Sequence, residues 1–223
     1  MCTSDSRRAV ASLRRSVMYR LMCYETSSPF KCPMKHPIPT VITPDETPNH
    51  SPTQLTDIQK QTIAEVERIT PGQRSILKKT FCPMGIDAVP NGLKMLIKLF
   101  SEYPRYKLIW PQFRAIPDSS LMHAIELRRH ASVYMTGLGS IINSMDDTES
   151  LCQQLARIAR AHIKWNIHHS HVMHMLQPVL EIVDDCNGGN MNHETREAWT
   201  TLYKVIADLI EIYRVHERGH PHV

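Results

Sequence analysis

The sequence predicts an all-α chain, and three observations carry that expectation. Apolar residues recur at spacings of three and four between about residues 70 and 213, helix caps punctuate the same stretch, and no segment alternates as a strand would. The 223 residues include only 8 glycines and 4 phenylalanines, too few for an architecture of strands and tight turns. With 42% hydrophobic residues the chain can bury a full core, and its length exceeds one compact helical domain without reaching two.

Residues 1–54 read as an extension outside that domain. A basic arm carries Arg7, Arg8, Arg14, Arg15 and Arg20, and Arg14 interrupts the apolar face that Val10, Leu13, Val17 and Leu21 would form. Seven prolines from Pro29 to Pro52 then fix backbone dihedrals and remove donors, which makes an extended linker. Residues 55–69 predict a short helix before the main domain, opened by a capping box of Thr56 and Gln59.

Residues 70–213 form the predicted domain. Thr70-Pro71-Gly72-Gln73 is a helix start with hydroxyl cap, proline in the first turn and an amide three residues on, and Pro83 is expected to end that helix. A second helix spans about Asp87 to Glu102 and buries Val89, Leu93, Leu96 and Phe100. Pro104 opens a short tight helix, and Pro111 and Pro117 bracket a corner. A long helix from Ser119 to about Met145 puts Leu127, His130, Tyr134, Leu138 and Ile141 on one stripe. Asp147-Thr148 caps another helix, carrying Leu151, Leu155, Ile158 and His162. Helices of roughly 168–185 and 192–215 close the chain around the Asn187-Gly188-Gly189-Asn190 break, leaving residues 214–223 as a short tail.

His130 and His162 stand out because each lies on the apolar stripe of a long helix, with a helix break between them. Two such helices can face each other across a slot and present one imidazole from each side, which suits a flat apolar cofactor with an axial metal. Taken singly, either histidine reads more readily as a hydrogen-bonded core residue.

The surrounding residues resemble the globin family over about 145 positions. Leu99-Phe100, Pro104 and Ile109-Trp110-Pro111-Gln112-Phe113 look like the second helix, the opening of the third and the aromatic corner of globins. The segments around His130 and His162 resemble the distal and proximal helices. Thr195-Arg196, Ala198-Trp199 and Leu202-Tyr203 are similar to the last helix of neuroglobin-like and invertebrate, nematode-type globins. The resemblance implies a globin fold with haem b held by His162 as proximal iron ligand, its ring fixed by a carbonyl near Ile158, and His130 on the distal side. It implies that Leu96 lies distally, that Trp110 and Phe113 wedge the haem, and that Ile158, Ile167 and Met173 line the remaining walls. Two positions depart from the family pattern. Trp110 replaces the usual phenylalanine, and Tyr134 replaces a small aliphatic, where either its hydroxyl bonds a ligand or its bulk closes the pocket.

The function implied is reversible binding of oxygen, nitric oxide or carbon monoxide at the haem iron, in sensing or redox signalling. Two alternatives stand beside it: a bis-histidyl electron-transfer protein with His130 on the iron, and a haem-free interaction module of globin fold. Lys and Arg nearly balance Asp and Glu over residues 70–213, which argues against nucleic acid as a partner. His168, His171 and His174 share a helix face and read as a solvated surface with one or two members near the haem propionates, rather than a zinc site. No apolar run reaches membrane-spanning length, and six cysteines without a C-x-x-C pair read as free thiols in a cytoplasmic protein. Lipidation of the N-terminal arm, giving peripheral membrane contact, and mitochondrial targeting are the alternatives for location.

Overall fold

Thr56 and Thr70 open the first two helices of the computed structural model, which describes residues 55–219. The expected basic arm, the proline-rich linker and the proposed lipidation of the N-terminal arm fall outside those residues. Each threonine hydroxyl accepts from the backbone N–H three residues on, and that residue's glutamine side chain accepts the N–H of the cap. The helices so started are α1 (Asp57–Glu67) and α2 (Pro71–Ile86). Next come α3 (Ala88–Glu102), a tight 3-10 turn (Pro104–Ile109), α4 (Asp118–Leu121), α5 (Ile125–Asn143) and α6 (Thr148–Lys164). α7 (His169–Cys186) and α8 (His193–Gly219) complete an all-helical fold, with no strand among the described residues.

Three boundaries differ from expectation. Pro83 lies inside α2 rather than ending it. The lost hydrogen bond falls in the last turn, and continuing the helix buries Met84 completely. The helix expected from Ser119 is broken at Met122–Ala124 into α4 and α5. On one straight helix, residues six apart diverge by about 120° around the axis, and the break lets Leu121 and Leu127 both reach the core. The last helix runs on to Gly219, and Arg214 is buried within it.

Helix α8 is the central support, packing against α1, α2, α6 and α7, while α3 crosses α5 and α7. Trp199 of α8 is fully buried, and its indole N–H donates to the Thr80 hydroxyl of α2 over 3.0 Å. The Thr80 hydroxyl in turn donates to the Ile76 carbonyl at 2.8 Å, so this buried polar pair is satisfied. Between α7 and α8 the chain reverses through Gly188 and Gly189 with φ of 95° and 74°, a left-handed geometry that glycine adopts without strain. Cys152 and Cys186 are free thiols. Among the described residues no helix is long and apolar enough to cross a membrane.

Candidate functional site

The crossing of α3 over α5 requires a close approach, which Gly92 provides. A Cβ at Gly92 would lie 2.9 Å from Met135 Cγ and 3.1 Å from the Ala131 carbonyl oxygen. The approach brings Leu96 and Leu99 of α3 to a cavity that α5 lines with His130, Tyr134 and Leu138. α6 contributes Ile158 and His162, the 3-10 turn contributes Tyr106 and Ile109, and α8 adds Tyr203 and Ile206. The cavity measures about 620 Å³ and its walls are mainly apolar. A space of this size suits a single cofactor-sized molecule.

The two histidines face this cavity from different helices. His162 Nδ1 lies 2.8 Å from the Ile158 carbonyl oxygen. A carbonyl only accepts, so Nδ1 carries the proton and Nε2 keeps its lone pair. Burial lowers the pKa of His162, and the bond to Ile158 opposes that shift. His130 is lowered to about 4, first by burial and then by repulsion from the charged form of His162. Both rings are therefore neutral near pH 7, the state in which an imidazole ligates a metal.

An aromatic corner backs His130. The Trp110 ring meets its imidazole edge-on with centroids 4.9 Å apart, and Phe113 does so at 5.7 Å. Phe100 packs against both, at 5.8 Å from each. Trp110 borders the cavity, whereas Phe113 is wholly buried behind it. The Tyr134 and Tyr203 hydroxyls hydrogen-bond each other from α5 and α8, and burial holds both phenols well above their usual pKa. Tyr134 thus directs its hydroxyl to a neighbouring helix, and the pair stays protonated at any physiological pH.

Of the residues singled out in the sequence, His130, His162, Trp110, Tyr134, Leu96, Ile158 and Ile167 come together on the cavity. Met173 does not line it, and Val172 and Met175 take that wall instead. Sequence reasoning passed over Tyr203, Tyr106 and Trp165 as site residues. Tyr203 is four residues beyond buried Trp199 on α8, a spacing that could have signalled a shared inward face. His171 and His174 do not form a solvated surface: they pack against Tyr106 and Tyr103. Among the described residues, no group of three or more His, Cys, Asp or Glu side chains is placed to hold a metal ion.

An all-helical body that sets two neutral imidazoles on an apolar cavity defines a class of cofactor-binding helical protein. A family model described as Globin matches residues 93–210, more than half of the chain, and the chain belongs to the globin family. A globin from Nerita albicilla is 22% identical over 146 residues, covering 66% of this chain and 93% of that one. Cytoglobin-1 from Oryzias latipes is 24% identical over 158 residues, covering 70% and 88%. A double mutant of myoglobin from Aplysia limacina superposes with a TM-score of 0.60 at 18% identity, spanning 65% of this chain and 98% of that one. At that identity the superposition speaks for the fold alone.

Proposed function

We propose that this globin binds haem b in the 620 Å³ cavity and reversibly takes oxygen or another diatomic gas there, in sensing or redox signalling. The observation that carries the reading is the His162 hydrogen bond to Ile158, because it fixes the tautomer whose Nε2 is a free donor beside an apolar space. Bound haem would supply a redox-active iron able to take a gas ligand. The residues present fit that group: one oriented imidazole, a second neutral imidazole, and apolar walls that exclude water from the metal.

In this reading His162 holds the iron, and Leu96, Ile158, Ile167 and Trp110 with Phe113 behind it shape the slot. His130 grades the incoming gas, donating from whichever ring nitrogen bears its proton. Tyr134, tied to Tyr203, narrows the distal side instead of reaching freely for the gas.

A second reading is favoured by one specific observation. His130 and His162 line one cavity from different helices, the arrangement that direct ligation of one iron by both would require. Absorption spectra of the hemin-reconstituted protein separate the two. An open sixth position gives a broad reduced visible band that shifts at once with carbon monoxide. Ligation by both histidines gives sharp split bands that resist carbon monoxide and vanish in His130→Leu. A protein that takes up no hemin would overturn both and leave the haem-free interaction module.

A further inference from the structure

Beside the cavity, the 3-10 turn and α7 build an aromatic column that gas binding does not use. Tyr106 lines the cavity wall, and its hydroxyl lies 2.6 Å from Nδ1 of His174. In the tautomer that carries its ring proton on Nε2, His174 accepts the phenol's hydrogen bond at Nδ1. The Tyr106 ring stacks on Tyr103 with centroids 5.2 Å apart and 15° between planes. Tyr103 in turn stacks face to face on His174 at 4.0 Å and 6°. Tyr103, Tyr106 and His174 are each half-buried, so the column leads from the cavity wall to solvent.

A phenol gives up an electron readily only when its proton has somewhere to go, because the oxidised phenol is a strong acid. The tyrosines around the cavity differ on this point. Among the described residues Tyr134 and Tyr203 bond only to each other, hydroxyl to hydroxyl, and a hydroxyl is a poor base. Tyr213, outside the cavity lining, pairs with the Thr62 hydroxyl at 3.1 Å. Tyr106 has an imidazole nitrogen in hydrogen-bond contact, the usual biological proton acceptor. Burial first, and the neighbouring Tyr103 second, raise the pKa of Tyr106 against an opposing hydrogen bond from Ser170, so the phenol stays protonated until it is oxidised.

We propose that Tyr106 is a one-electron donor to the cavity's cofactor, with His174 as its proton acceptor and Tyr103 as the outlet to solvent, serving the reduction of hydroperoxides by aromatic reductants. The inference rests on the proposed haem binding. A hydroperoxide ROOH is the oxidant, and its O–O bond breaks to give ROH and water on receiving two electrons and two protons. Each electron leaves Tyr106 as its phenolic proton crosses to Nδ1 of His174, which leaves a neutral phenoxyl radical beside an imidazolium. An aromatic reductant AH at the Tyr103 end returns one electron, and the proton on His174 moves back to re-form the phenol. The proton that AH releases balances one consumed in cleaving the peroxide. Two such cycles give ROOH + 2 AH → ROH + H2O + 2 A•.

The test uses the full chain reconstituted with hemin, mixed with hydrogen peroxide and frozen for electron paramagnetic resonance. Hemin uptake is read first from the absorption spectrum, in wild type and in every variant. The expected result is a tyrosyl radical that Tyr106→Phe loses and Tyr134→Phe retains. His174→Ala should form that radical about a hundredfold more slowly, and added imidazole should restore part of the rate. A radical undiminished in Tyr106→Phe, or a rate indifferent to His174, overturns the inference while haem binding stands. No hemin uptake by wild type overturns the functional reading and this inference with it.

Discussion

Gly92→Ala tests the helix crossing on which the cavity depends. The added methyl would meet Met135 Cγ at 2.9 Å, Ala131 Cβ at 3.2 Å and the Ala131 carbonyl oxygen at 3.1 Å. Met135 can shift a flexible side chain, but the carbonyl belongs to the backbone of α5 and moves only with the helix. Overpacking of this kind costs about 1–3 kcal/mol, while alanine gains about 1 kcal/mol over glycine in helix propensity. The net expectation is a loss of about 0–2 kcal/mol, and a larger one for Gly92→Val, which must fit two further carbons. Gly72→Ala is the control: its Cβ would meet only Thr70 Oγ1 at 4.0 Å, so in this first turn of α2 no clash opposes the smaller propensity gain. Urea unfolding of both variants, compared at unchanged m-value, gives the difference directly. If Gly92→Ala is stabilised as much as Gly72→Ala, the close approach of α3 to α5 is not as described.

Other consequences follow from single contacts. The depressed pKa of His130, about 4 against 6.5 unfolded, means that the unfolded chain takes the proton first as pH falls. The stability of the haem-free protein is therefore whole above pH 6.5 and declines by roughly 3 kcal/mol on approaching pH 4, a slope that His130→Leu should flatten in pH-dependent unfolding. Trp199→Phe removes a buried donor to Thr80 and leaves a void, at about 2 kcal/mol. A cycle with Thr80→Val should be non-additive, and additive losses would deny the hydrogen bond. Arg214 is buried and donates to the Ile167 carbonyl and, at 3.0 Å, to Glu211, so Arg214→Met should lower the melting temperature by about 5 °C. An unchanged melt would show that the end of α8 does not pin the corner before α7.

Much of the fold is legible because its signals are local. The capping boxes at Thr56 and Thr70 and the apolar stripe through Leu127, Leu138 and Ile141 mark helices without knowledge of any partner. What escapes depends on contacts distant in sequence. Pro83 reads as a stop, yet burial of Met84 carries the helix past it. Met173 is expected on the cavity, whereas α7 presents Val172 and Met175 there. Which face of α7 meets the cavity depends on its packing against α3 and α8, and no periodicity within α7 encodes it. The partners Tyr134–Tyr203 and Tyr106–His174 are invisible for the same reason, since each joins elements that only the tertiary structure brings together.

Titration of the haem-free full chain with hemin, in wild type and His162→Ala, tests the central claim most directly. The tautomer fixed by Ile158 and the apolar cavity predict that wild type takes up one equivalent with a sharp Soret band, and that His162→Ala loses that spectrum. A wild type that stays colourless, or a His162→Ala protein with an unaltered spectrum, would contradict it.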